Sequence, residues 1–240
     1  MTVKVVCHMI SSVDGRLLPG RWTKPVHSVN VTECYEAAAS NFPADGWLIG
    51  RTSMAQFDDS ISEGAPAGKR GAGEPRPTPF VGKREGRMLA VVTDPKGKLR
   101  YTTPTLSTGE HLVAVLAPDT AEDYLEELRR VGVSYVFEGE GEKKLEGALA
   151  ALEETFGVKL ILLEGGGLIN GSFLKAGLID EFSILVYPAV DGLAGVPSIV
   201  GYAGEAHERP AAGQPLELIE AKTLPGGVVW LRYRVEHSAA

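Results

Sequence analysis

The residues Leu160 to Glu181 read LILLEGGGLINGSFLKAGLIDE, and the rest of the chain is organised around this stretch. Leu160 to Leu163 is an apolar run of buried-strand length, closed by Glu164. Gly165, Gly166 and Gly167 follow, and Leu168 and Ile169 then open a stretch that places Ile169, Phe173 and Ala176 on one helical face. Gly177 fits the left-handed cap that ends such a helix. A strand passing through glycines into a helix start aims bare backbone N–H groups and the positive end of a helix dipole at one spot. Such a spot suits a phosphate or pyrophosphate. Taken alone, the triple glycine reads as a tight turn that only packs, because it matches neither G-x-G-x-x-G nor a Walker motif.

The elements that must position this turn are an alternation of strands and helices. Val3 to Ile10 is a first strand, followed by the polar turn Ser11-Ser12-Val13-Asp14-Gly15-Arg16. Trp22 and Lys24 lie in the loop that comes next. Asn30 and Glu33 have capping-box spacing, so a helix begins at Val31, with Cys34, Ala38 and Phe42 along one face. Trp47 to Gly50 is a second strand, leading through Gly50-Arg51-Thr52-Ser53 into a short helix that reaches Phe57. Residues 58–85 are rich in Gly, Pro and charge and read as a mobile flap or insertion. Strands follow at Arg87 to Val92, His111 to Ala117 and Ser134 to Phe137. A helix capped by Thr120 runs through Arg130, and a long amphipathic one carries Leu145, Leu149, Leu152 and Phe156. Beyond the glycine turn, Phe182 to Tyr187 is a strand, residues 191–214 are irregular, and Leu216 to Thr223 with Val228 to Val235 form a hairpin. The pattern predicts one α/β domain over residues 1–240. Its sheet is mostly parallel and flanked by helices in three layers, with an antiparallel C-terminal hairpin.

Composition bounds what such a protein does. The 240 residues suffice for a real core, and 44% hydrophobic with 23% charged residues is ordinary globular usage. A net charge of −7 argues against broad nucleic-acid binding but leaves room for a phosphorylated ligand in a local basic pocket. No apolar run reaches membrane-spanning length, and the first residues lack the basic and apolar regions of a signal peptide. Cys7 and Cys34 have no partner at metal-ligand spacing, so free thiols, no metal and a cytoplasmic setting are expected.

Three segments in order, SSVDGRL, GWLIGRTS and the EGGG-to-GLIDE stretch, resemble the dihydrofolate-reductase-like superfamily. More closely, they resemble the C-terminal reductase domain of the bifunctional riboflavin-biosynthesis deaminase–reductases. The deaminase half has no counterpart here, since no H-x-E precedes a P-C-x-x-C. Ser53 stands where the G-R-x-T element has threonine, and the long insertion after Phe57 also departs from the pattern.

The resemblance implies NADPH-dependent reduction. It would seat the pyrophosphate on Gly165, Gly166, Gly167, Leu168 and Ile169. It would put the 2′-phosphate on Arg51, whose planar fork matches phosphate geometry, with Gly50, Thr52, Ser53 and Thr93 adding donors. Asp14 then lies by the nicotinamide and the substrate, where a carboxyl with a raised pKa can act as proton donor; the plainer reading is an Asp-Gly turn. Glu33 is the rival acid, against its plainer role in the capping box. Glu164 can reach a ribose hydroxyl, Arg16 or Lys24 a terminal phosphate, and Trp22 a heterocycle, with Ser11 beside them. His8, inside a strand, reads as a satisfied core histidine.

The implied reaction reduces the C1′ imine form of a phosphoribosylaminopyrimidine to a ribityl chain, as in riboflavin biosynthesis. A pterin, folate or other small imine or carbonyl substrate is the alternative within the fold. A non-catalytic nucleotide-binding module is the alternative outside enzymes. The resemblance also implies a homodimer, with the final hairpin supplying interface strands.

Overall fold

The computed structural model describes residues 3–71 and 73–237. In chain order the elements are β1 (Lys4–Ser12), α1 (Val31–Ala39), β2 (Gly46–Gly50), α2 (Arg51–Phe57), β3 (Ile61–Glu63), β4 (Leu89–Thr93), β5 (Leu99–Tyr101), β6 (His111–Leu116) and α3 (Glu122–Val131). They continue with β7 (Ser134–Phe137), α4 (Lys144–Phe156), β8 (Leu160–Gly165), α5 (Gly167–Lys175), β9 (Glu181–Tyr187), β10 (Leu216–Thr223) and β11 (Val229–Val235). The α/β alternation and the C-terminal hairpin match the sequence pattern. Two compact units contain these elements: Asp45–Ile161 in one, Lys4–Ala44 with the residues from Leu162 onward in the other.

In the first unit, β2, β4, β6 and β7 lie side by side in that order, every pair parallel. The sequences explain the arrangement. LAVV of β4 and HLVAVL of β6 are buried without alternation, as strands covered on both faces must be. The helices supply cover: α3 buries Tyr124, Leu125 and Leu128, and α4 buries Ala148, Leu149 and Leu152. Thr120 was the expected cap of α3, but the N-cap is Ala121. The Thr120 hydroxyl instead donates to the Ala117 carbonyl at 2.7 Å, closing the turn before the helix.

The segment expected to be a flap carries regular structure. β3 pairs antiparallel with β5. Lys69 bridges to Thr120 and Phe80 to Tyr135, and Gly82 N–H donates to the Ser134 hydroxyl at 2.9 Å.

In the second unit the strand order is β10-β11-β9-β1-β8. β1 and β9 are parallel, whereas β9, β11 and β10 form an antiparallel run. His8 on β1 is buried, with its ring nitrogens 2.9 Å from the Ser183 hydroxyl and 3.2 Å from the Tyr35 carbonyl. Burial lowers its pKa to about 4, so it is a neutral, satisfied core histidine. The indole N–H of Trp230 on β11 donates to the same Ser183 hydroxyl at 2.8 Å and ties β11 to β9.

Candidate active site

The predicted cofactor residues fall into two groups. Gly50, Arg51, Thr52, Ser53 and Thr93 belong to the first unit. There the parallel register sets Gly50 opposite Thr93, so the ends of β2 and β4 bring the pair together. The Thr93 hydroxyl faces the Ile49 carbonyl at 3.5 Å, a long contact. Arg51 opens α2, is half-buried, and forms an ion pair with Glu63 of β3. Asp94 follows β4 fully buried, and one of its oxygens accepts from Leu99 N–H at 2.8 Å. Burial raises its pKa, against the pull of backbone hydrogen bonds and of the Arg51 and Arg100 charges.

The second group surrounds the glycine turn. β8 runs on through Gly165, one residue past the predicted end, and α5 starts at Gly167 with Gly166 as its N-cap. The Gly165–Gly166 peptide is cis. Gly167 and Leu168 begin the helix, so their N–H groups have no carbonyl four residues back to bond.

Gly167 and Gly171 lie one helical turn apart and are covered by a loop. A β-carbon on Gly167 would lie 2.3 Å from the Ser198 carbonyl oxygen, and one on Gly171 would lie 2.2 Å from that of Gly201. Gly201 N–H donates to the Gly167 carbonyl at 2.9 Å. Leu168 is exposed and Ile169 half-buried. Gly177 has φ 68°, and its N–H bonds the Leu174 carbonyl at 3.0 Å to finish the helix.

The same loop meets the turn after β1. Asp14 accepts from the Ser12 hydroxyl at 2.6 Å, from Gly192 N–H at 2.9 Å and from Asp191 N–H at 3.1 Å. These donors, the Ser12 hydroxyl foremost, hold its carboxyl well below the usual carboxylate range. The expectation of a raised pKa is thereby reversed: every hydrogen bond to Asp14 favours the anion. Arg16 donates to the Val196 carbonyl at 2.9 Å and bridges Ser198 through its backbone. Residues 191–201, featureless in sequence, thus join the Asp14–Arg16 turn to the start of α5.

The remaining predicted residues occupy varied positions. Ser11 is buried and its hydroxyl donates to the Ser12 carbonyl at 3.0 Å. Trp22 stacks on Tyr187 with ring centroids 5.5 Å apart, a packing contact. Lys24 is exposed. Glu33 is in the capping box: Asn30 Oδ1 accepts from its N–H at 3.2 Å, and Asn30 Nδ2 donates to its carboxylate at 3.2 Å. Its side chain also borders a cavity of about 450 Å³ between α1 and the end of the hairpin. Glu164 is half-buried near Tyr35, whose phenol is pushed well up by burial first and by the Glu164 charge second. The Tyr35 hydroxyl donates to the His8 carbonyl at 2.9 Å.

The sequence reading missed Tyr35, Glu63, Asp94, Asp191 and Ser198. Only Asp94 had a local signal, the Thr-Asp-Pro that ends a strand.

A cavity of about 600 Å³ in the first unit lies over the ends of β4, β6 and β7. It contains none of the predicted site residues, and two of its lysines are paired, Lys69 to Asp119 at 2.7 Å and Lys144 to Glu138 at 3.1 Å. Among the described residues no group of three His, Cys, Asp or Glu side chains can hold a metal, and no helix is long and apolar enough to cross a membrane.

The chain is similar to known proteins in sequence and in fold. The 2,5-diamino-6-ribosylamino-4(3H)-pyrimidinone 5′-phosphate reductase of Archaeoglobus fulgidus is 28% identical over 119 residues, which are 48% of this chain and 52% of that protein. The chain thus aligns with about half the length of this curated relative. RibD of Acinetobacter baumannii superimposes with a TM-score of 0.63 at 18% identity, over 98% of this chain and 58% of that one. A pyrimidine reductase-like protein of Corynebacterium diphtheriae does so with 0.64 at 16% identity, over 99% and 92%. At these identities the structural likeness is one of fold. The RibD C-terminal domain profile, however, matches residues 3–230, and the chain belongs to that family.

Proposed function

We propose that this protein is an NADPH-dependent reductase of a ribosylaminopyrimidine 5′-phosphate, converting the C1′ imine form of the sugar to a ribityl chain. The observation that carries the reading is the joining of Asp14, Arg16 and the glycine turn through residues 191–201. It gathers an anion, a cation and a helix N-terminus in one unit.

Each unit by itself carries donors suited to a phosphate group of a dinucleotide: in the first, the Arg51 guanidinium with the Thr52 and Ser53 hydroxyls; in the second, the N–H groups of Gly167 and Leu168 at the start of α5. Gly166 and Gly165 form the turn itself, and Gly50 and Thr93 form the strand ends beside Arg51. The bound cofactor supplies the hydride.

The chain's own residues do the rest. Asp14, kept ionised, favours positive charge on the substrate nitrogen and acts as an electrostatic partner, not as a stored proton. Arg16 and Lys24 bind the substrate phosphate, Glu164 with Tyr35 holds a ribose hydroxyl, and Trp22 on Tyr187 fixes the wall beside residues 188–191. Ser11 and Glu33 act by shaping this surface. The exposed hairpin strand β10 forms a homodimer interface.

The test is NADPH oxidation with three substrates: the diaminopyrimidinone phosphate, its deaminated uracil counterpart, and dihydrofolate. Oxidation with either pyrimidine, giving a product two hydrogens heavier, is expected. Turnover of dihydrofolate alone moves the assignment to folate reduction, and binding of NADPH without any turnover moves it to a nucleotide-binding module.

A further inference from the structure

Arg51 is held by a carboxylate from the insertion. Glu63 ends β3 and ion-pairs with the Arg51 guanidinium. The Glu63 carboxylate is 43% exposed, but the strand that carries it is fixed by its backbone. The antiparallel register fixes Ile61 opposite Tyr101, Ser62 opposite Arg100 and Glu63 opposite Leu99. Both ends of β3 are pinned: Ile61 N–H donates to the Asp58 carbonyl at 3.0 Å, and Gly64 N–H to the Lys98 carbonyl at 2.7 Å. Asp58 is itself anchored, its carboxylate accepting from Ser60 N–H at 2.9 Å and Ser107 N–H at 2.7 Å. Ile61 is buried, so β3 cannot shift without exposing core. The buried Asp94 also feels the Arg51 charge, which opposes the rise that burial gives its pKa.

A phosphomonoester approaching Arg51 has to share the fork with Glu63 or displace it, and its own charge of about −2 repels the carboxylate. A ribose with a free 2′-hydroxyl meets no such conflict, because the hydroxyl can donate to a carboxylate, as in dinucleotide folds selective for the unphosphorylated cofactor.

We propose that Glu63 sets this protein's choice between NADPH and NADH by competing with the 2′-phosphate for Arg51. The proposal rests on Arg51 being the residue that contacts that phosphate. The insertion thereby acts on specificity, weakening a preference that Arg51 alone would make strong.

The experiment is equilibrium titration of NADPH and NADH, followed by calorimetry without substrate, against wild type, Glu63→Gln, Arg51→Ala and the strand control Ser62→Ala. Glu63→Gln keeps the strand and removes only the charge. It is expected to tighten NADPH about 2- to 5-fold, the range of a partly exposed charge pair, and to change NADH less than NADPH. Ser62→Ala is expected to change neither. If Arg51→Ala weakens NADPH selectively but Glu63→Gln leaves NADPH unchanged or weaker, the role of Glu63 is overturned and that of Arg51 stands. If Arg51→Ala weakens both cofactors equally or neither, the reading of Arg51 fails and the proposal falls with it.

Discussion

At the scale of single residues, the environment of Asp14 selects one charge state. Three donors converge on its two oxygens, and a neutral carboxylic acid would leave at least one of them poorly matched. Asp14→Asn replaces an acceptor oxygen by a donor and removes the charge. Under the proposed role it should lower single-turnover hydride transfer by about 10²- to 10³-fold, the scale of one lost electrostatic contact, while NADPH affinity holds. A wild-type rate at saturating substrate, with a melting curve showing intact fold, would reduce Asp14 to a turn residue. Because its folded pKa is depressed, the contribution of the anion is present at neutral pH and is lost only as pH falls far into the acid range. His8 behaves differently. Its pKa drops from 6.5 to about 4 by burial, so between these values the unfolded chain binds the extra proton. Stability should therefore fall as pH drops from about 6.5 toward 4, by up to ~3 kcal/mol. Comparing melting temperatures of wild type and His8→Gln across this range isolates the term. The variant should show the shallower slope, and parallel curves would refute it.

At the scale of elements, α5 shows how close packing uses glycine. Residues 198–201 lie directly on the backbone of Gly167 and Gly171, where any β-carbon would overlap a carbonyl oxygen. Gly171→Ala gains helix propensity of about 1 kcal/mol but forces the loop away at a cost of roughly 1–3 kcal/mol. The balance predicts a lowered denaturation midpoint and weaker dinucleotide binding together. A raised midpoint with unchanged binding would show that the loop yields freely.

The same elements mark what the sequence could reveal. β4 and β6 were legible because strands covered on both faces need unbroken apolar runs. The Asn30–Glu33 box was legible because its chemistry is local. β3 and β5 were not, since three residues give no period and their pairing spans a long separation in sequence. Likewise Asp14 could be singled out from its Asp-Gly turn, but not its pKa. Two of the donors that set it come from Asp191 and Gly192, and nothing near Asp14 in the chain announces them.

At the scale of the whole molecule, the remaining question is what meets the hairpin. β10 stands at the end of its strand order, pairing β11 on one side, and nearly all of its eight residues are exposed. Leu216, Leu218 and Ile219 are 52%, 54% and 41% exposed. Proteins that remain monomers protect edge strands by shortening, charging or covering them. Here Glu217, Glu220 and Lys222 supply charge, yet an apolar stripe of three large residues persists among them. A second copy of β10 offers the same stripe, and a twofold arrangement lets each patch serve both partners. Wild-type protein is therefore expected to scatter light as twice 25.5 kDa at micromolar concentration. Its melting temperature should rise with concentration, because association stabilises the folded state by mass action. Leu218→Glu places a like charge on both sides of the interface and loses the apolar contact. It should give particles of 25.5 kDa whose melting temperature no longer depends on concentration. A wild type that scatters as 25.5 kDa over the same range would exclude the hairpin interface. A dimer unmoved by Leu218→Glu would put the contact on another face.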